Sequence, residues 1–165
     1  MTFVRSRGFT LIELILVTGV IGIFAAGVLA VLSPGQQVLK ANDVRRKSDL
    51  GQIQRALEAY YQDNGRYPTA SANKIFTTSS INWGTSWQPY MNVLPKDPVS
   101  THNYVYYASA DGQSYILYAS LERGGKDPQA CNGGNACTSL STYSVTQTAC
   151  GTTCNYGIAS PDITP

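Results

Sequence analysis

The chain has 165 residues, with 12 Lys and Arg against 10 Asp and Glu, for a formal charge of +2. So small an imbalance gives no sign of the basic stripe that nucleic-acid binding needs, and 43% hydrophobic residues with 13% charged exclude a disordered chain. A single histidine excludes a histidine-rich metal site and leaves little for a conventional catalytic triad.

The first element decides the class. Residues 9–32 read FTLIELILVTGVIGIFAAGVLAVL, 24 residues with one charge. A bilayer core of roughly 30 Å needs about 20 apolar residues in a helix, so the run is long enough to span. Arg5 and Arg7 stand before it and no basic residue follows until Lys40, which places the amino terminus in the cytoplasm and the bulk outside. Three readings compete. A secretory signal could be cut after Val28-Leu29-Ala30, but its apolar region should be only about 7–15 residues. A plain single-span anchor is the second. The third rests on Glu13, one helical turn into the run. A carboxylate in lipid costs about 2.5–3.5 kcal/mol. It must snorkel, stay protonated, or meet a positive group from another chain.

Arg7-Gly8-Phe9-Thr10-Leu11-Ile12-Glu13 resembles the class III signal sequence of type IV prepilins and type II secretion pseudopilins. The resemblance implies a leader of residues 1–8, cleavage between Gly8 and Phe9 by a prepilin peptidase, and methylation of the Phe9 amino group. It also implies that Glu13 pairs with the Phe9 amine of a neighbouring subunit during assembly. Removing the leader removes Arg5 and Arg7, which leaves ten cationic and ten anionic side chains.

Thr18, Gly22, Ala26 and Ala30 recur every four residues and form a ridge of small side chains suited to close helix packing. Ser33-Pro34-Gly35-Gln36 predicts a break, then a new helix with Pro34 in its first turn. Leu50, Ile53, Leu57 and Tyr60 predict one buried stripe. Arg45, Arg46, Lys47, Asp49, Arg55 and Glu58 fall on the other faces and read as a solvated surface. Asn64-Gly65 closes this helix, and Pro68 prevents its resumption.

Gly65-Arg66-Tyr67-Pro68-Thr69 and Leu94-Pro95-Lys96-Asp97-Pro98 resemble the major pseudopilin group of type II secretion. Residues 70–93 read as a loop, with Trp83, Trp87 and Tyr90 as packing anchors in preference to a sugar platform. Tyr104–Ala108 and Tyr115–Leu121, joined through Asp111-Gly112, predict a hairpin with one face on the helical stripe. A third strand is expected at Tyr143–Thr146. The tail holds all four cysteines, with five residues between Cys131 and Cys137 and three between Cys150 and Cys154. Zinc ribbons favour two-residue spacings, and a head outside the cytoplasm favours disulfides. Local pairs, Cys131 with Cys137 and Cys150 with Cys154, are preferred among three connectivities.

The fold class expected is α+β and type IV pilin-like, a long amino-terminal helix on a small antiparallel sheet with a disulfide-bearing carboxy-terminal region. The segments expected are leader 1–8, membrane and filament-core helix 9–33, amphipathic helix 34–64, loop and hairpin sheet 65–121, and cysteine region 122–165. Major pseudopilins of this resemblance bind calcium after the corresponding strand. Here Glu122 and Asp127, with Asp162 more remote, are the only nearby acids, too few for a good site, so no cofactor is expected.

No catalytic constellation appears, and an enzyme is not expected. The function expected is a structural subunit of a type IV pilus-like filament, processed by prepilin peptidase and assembled with copies of itself on a membrane platform. The alternative is the major pseudopilin of a type II secretion pseudopilus, and a monomeric anchored binding module is a third reading. The precursor is expected as a single-pass protein of the cytoplasmic membrane, then as part of an extracellular or periplasmic filament.

Overall fold

The computed structural model describes residues 8–165. The leader, apart from Gly8, lies outside the described residues. The chain divides into two units, Met1–Val38 and Leu39–Pro165, which are taken separately.

In the first unit, Leu11–Leu32 forms helix α1. Thr10 caps it, with an extended backbone and a side-chain oxygen that accepts from the Glu13 N–H at 3.3 Å. The helix ends where Ser33 turns left-handed, with φ of 40°. Helix α2, Pro34–Asn64, begins at the next residue. Proline suits this first position because its missing N–H would have no partner there.

In the second unit, α2 ends as Gly65 takes φ of +70° and its N–H bonds to the Tyr61 carbonyl. Two short strands follow, β1 (Thr69–Ser71) and β2 (Lys74–Phe76). They pair antiparallel around Ala72-Asn73, both with positive φ, the geometry of a two-residue hairpin turn. This hairpin lies in the segment expected to be a loop. Alanine at a left-handed position hides the turn signal, whereas asparagine alone would be a weak one.

The main sheet has the order β3 (Val105–Ala108), β4 (Tyr115–Ala119), β5 (Tyr156–Ala159), antiparallel throughout. Tyr106 pairs with Leu117, and Leu117 with Ile158. Alternation divides the side chains. Tyr104, Tyr106, Tyr115, Leu117 and Ala119 join Leu50, Ile53 and Leu57 of α2, with Tyr67, Ile75, Trp87 and Leu94. Val105, Ile116 and Tyr118 face the other way, onto Leu140, Val145 and the cysteines. Every residue of β4 is therefore buried. Trp83, Trp87 and Tyr90 pack beneath the loop, Trp83 on Tyr104 and the other two on Tyr60.

The third strand is not where it was expected. Residues 143–146 follow a one-turn helix α3 (Ser139–Thr142), and Ser144 has φ of 55° while the Val145 N–H bonds to the Leu140 carbonyl. A left-handed residue cannot continue a ladder, so Val145 serves as a core plug and β5 supplies the strand. The tail also contributes more core than its composition suggested. Disulfides join Cys131 to Cys137 and Cys150 to Cys154, and Cys150 and Cys154 are fully buried. Loops this short contribute roughly 2 kcal/mol each through chain entropy, in addition to the apolar area the cystines cover.

At Gly151, φ is +90° and an added Cβ would overlap the Thr101 carbonyl oxygen. At Gly65, φ is +70° but the space is open. Gly65→Ala should cost about 1–2 kcal/mol from backbone conformation alone, and Gly151→Ala distinctly more. Urea unfolding of the detergent-solubilised chain, followed by tryptophan fluorescence, checks this. Equal losses would contradict the close approach at Thr101.

Candidate functional site

Two places carry the chemistry. The first is the start of α1. Gly8 and Phe9 precede the Thr10 cap, and Phe9 is 78% exposed. Glu13 lies in the first turn, at the positive end of the helix dipole. Among the described residues no cation lies within ion-pair distance of it. The four successive residues Leu14, Ile15, Leu16 and Val17 are all exposed. Successive helical positions are turned about 100° apart, so apolar surface covers the whole circumference. Thr18, the one hydroxyl within α1, donates to the Leu14 and Ile15 carbonyls at 3.0 Å each. Its polarity is satisfied within the helix, as a lipid or dry packing environment requires.

The second place is the charged face of α2, and it corrects the sequence reading. That face is solvated at Arg45 and Arg55 but not at Arg46 or Asp49. Arg46 is 0% exposed, and Asp43 and Asp49 are buried. Arg46 makes a bidentate contact with Asp97, Nε to Oδ2 at 2.8 Å and Nη2 to Oδ1 at 3.0 Å. Its Nη1 donates to Asp43 Oδ1 at 3.0 Å and lies 3.3 Å from Glu122 Oε2. Its Nη2 also donates to His102 Nδ1 at 2.8 Å. A guanidinium can only donate, so Nδ1 accepts and the ring proton sits on Nε2. Asp43 accepts the N–H groups of Glu122 and Arg123 at 2.8 and 2.9 Å, and Asp97 accepts that of Val99. Burial works against the charged guanidinium, but the bond to Asp97 and the charges of Asp97 and Glu122 outweigh it and raise the Arg46 pKa.

Further along the same helix, Tyr104 donates to Asp49 at 2.7 Å, while Tyr67 and Tyr115 donate to Glu58. Burial raises the Asp49 pKa against the opposing bond from Tyr104 and the charge of Arg45. Burial pushes Tyr118 up to about 12, against the opposing bond to Ser139.

Beside Arg46, Lys47 Nζ reaches Asp127 Oδ2 at 2.6 Å and Gln129 Oε1 at 2.8 Å. Burial raises the Asp127 pKa, but Lys47 and the Gln129 N–H outweigh it and hold the carboxyl below its ordinary value. The candidate calcium residues are thus separated. Glu122 faces Arg46 and Asn42, Asp127 faces Lys47, and Asp162 lies exposed beyond β5. Among the described residues no three His, Cys, Asp or Glu side chains converge as a metal site. The residues present do not fit calcium.

The family profile "Type II secretion system (T2SS), protein G" matches residues 35–137. The chain belongs to this family. The profile "Prokaryotic N-terminal methylation motif" matches residues 4–29, the stretch that holds Gly8, Phe9 and Glu13. Three relatives share the name "Type II secretion system core protein G". That of Klebsiella michiganensis is 34% identical over 98 residues, covering 56% of this chain and 68% of the relative. That of Pectobacterium carotovorum is 31% identical over 102 residues, covering 59% and 64%. That of Escherichia coli is 28% identical over 128 residues, covering 74% and 79%. No solved structure matches the chain. The names favour the type II secretion alternative over the type IV pilus reading placed first. Residues 138–165, with α3, β5 and the second disulfide, fall outside the family match.

Arg46 and Asp97 escaped sequence reasoning because 51 residues separate them. The one signal was Asp97 itself, an acid between two prolines in a segment already singled out by resemblance. Arg46→Met should cost about 3–5 kcal/mol, because it leaves Asp43 and Asp97 buried without their cation. Arg46→Lys should recover only part, since an ammonium cannot make the bidentate fork. A urea midpoint for Arg46→Met equal to that of wild type would refute this account of the network.

Asp49 carries a pH prediction. A carboxyl whose folded pKa is raised favours folding at low pH, and that contribution is lost as pH rises through the folded value. Asp49→Asn should therefore raise the urea midpoint at neutral pH and leave it nearly unchanged near about pH 3. A shift of the same size at both values would show that charge is not the cause.

Proposed function

We propose that the chain is the major structural subunit of a type II secretion pseudopilus. On this reading a prepilin peptidase removes residues 1–8 and methylates Phe9, α1 holds the precursor in the cytoplasmic membrane, and an assembly platform draws it into a helical filament. The observation that carries the proposal is α1 itself, apolar around its circumference and bearing one carboxylate in its first turn. Such a helix is stable in lipid, and equally against the α1 helices of further copies. Lipid and packed helices are similarly apolar, so transfer between them depends on close packing and on polar pairs. The ridge of Thr18, Gly22 and Ala26 on one helix favours the packing.

Glu13 supplies the polar pair. A carboxylate in an apolar core is costly alone, and so is the amine that cleavage exposes at Phe9. Pairing them across subunits offsets much of both penalties and fixes the axial register. The matched methylation motif supports the same pairing. The family supports the secretion role over a surface pilus.

Glu13→Ala should still be cleaved and methylated, because the Gly8–Phe9 junction is unchanged. Filament recovered from the cell envelope should fall more than about tenfold, since an unpaired buried charge costs several kcal/mol. Mass spectrometry of the amino terminus and quantitation of cross-linked envelope filaments check the two halves. Wild-type filament yield from Glu13→Ala would refute the pairing, and an intact Met1 in the wild-type chain would refute processing.

A further inference from the structure

The segment from 121 to 129 leaves β4 carrying Glu122, Arg123, Lys126 and Asp127. A calcium loop gathers six to eight oxygens on one ion. Here the side-chain carboxylates that could serve already face fixed donors. The Lys47 ammonium sits between Asp127 Oδ2 and Gln129 Oε1, 2.6 and 2.8 Å away, and 5.4 Å from the centre of the Tyr156 ring. Glu122 Oε2 faces the Arg46 guanidinium and the Asn42 amide. The Asp43 carboxylate is filled by the Glu122 and Arg123 N–H groups and by Arg46. These ties leave α2 within little more than one turn, from Asn42 to Lys47.

The local field adds to this. A cavity of about 270 Å³ beside the loop is lined by Lys40, Lys47, Arg123 and Lys126 against only Asp43 and Asp127. Four cations outnumber two carboxylates, so an approaching divalent cation is repelled before it meets a ligand. Arg123 Nε is moreover buried with no hydrogen-bond partner, so the region already holds more donors than acceptors.

We infer that Lys47 is the built-in cation of this loop, tying the segment after β4 to α2, and that the head holds this segment without calcium. The inference rests on the side-chain geometry and not on the filament reading, so either can fail alone. A lysine amine differs from a bound ion in two ways. It cannot be removed by a chelator, and its reach is fixed by its place on the helix. The loop is thereby closed at calcium concentrations far below the millimolar range that extracellular calcium modules require.

The test uses the full chain in detergent. The melting temperature of the wild type should be the same in excess chelator and in millimolar calcium. Lys47→Met should lower it by about 2–6 °C in both and should remove amide-exchange protection selectively in residues 122–129. Lys47→Arg, which keeps the charge, should retain most of the protection. A calcium-dependent rise in the wild-type melting temperature would overturn the inference. So would Lys47→Met with unchanged melting and unchanged exchange in the loop. The wild-type comparison decides the calcium half even where Lys47→Met does not fold.

Discussion

The head depends on one buried guanidinium. Arg46 is fully enclosed, and its donors reach α2 itself, the Asp97 segment, His102 and the loop after β4. Such an ion network, taken as a whole, contributes little net stability against a set of apolar side chains of equal volume, because desolvation consumes most of the Coulomb gain. What it fixes is geometry. Asp97 can accept both arms of the fork only if its segment lies alongside the fourth turn of α2, and Glu122 can approach only if β4 ends beside Asp43. The apolar stripe of Leu50, Ile53 and Leu57 could tolerate sliding of the sheet along the helix. The fork cannot.

That constraint explains why the sheet can be buried on both faces with so little chain. Once β4 is fixed on α2 by Tyr115, Leu117 and Ala119, its other face, Ile116 and Tyr118, must be covered. A tail of threonine, serine and glycine lacks the apolar side chains to do this alone. It succeeds because the cystines are themselves core, and because Leu140 and Val145 are buried there with Ile163 packed against them. Asn155 joins the two layers. Its side chain accepts from the Leu121 N–H, and donates to the Leu121 and Gly134 carbonyls, with the residue buried between the loop and the cystine segment.

The parts legible in the sequence were those governed by local rules. The apolar run, the stripe on α2, the stop at Asn64-Gly65 and the β3–β4 hairpin each follow from periodicity or turn chemistry within a short window. The parts that were not legible depend on partners far along the chain. Arg45, Arg46 and Lys47 look alike in sequence. Yet Arg45 is exposed, Arg46 is fully buried and Lys47 is shared with a loop 80 residues away. Val145 looked like strand because valine favours strands, but Ser144 adopts a left-handed backbone that ends any ladder. Tyr156–Ala159, the true third strand, contains glycine and follows a cysteine pair, so its local signal was weak.

The disposition of carboxylates singles out Glu13. In the head, every buried carboxylate has its partners inside the same unit. Asp97 and Asp43 have Arg46 and backbone N–H groups, and Asp49 has Tyr104. The exposed ones, Asp63, Asp111 and Asp162, face water and need no partner. Glu13 belongs to neither class. It is exposed on a helix whose surroundings are apolar in lipid and in a packed bundle alike, and among the described residues it has no cation. On the proposed reading this carboxylate is open within the subunit because its partner comes from a second copy. The amine that cleavage would create at Phe9 there is a cation of the right sign, and it too would be unfavourable alone in that setting.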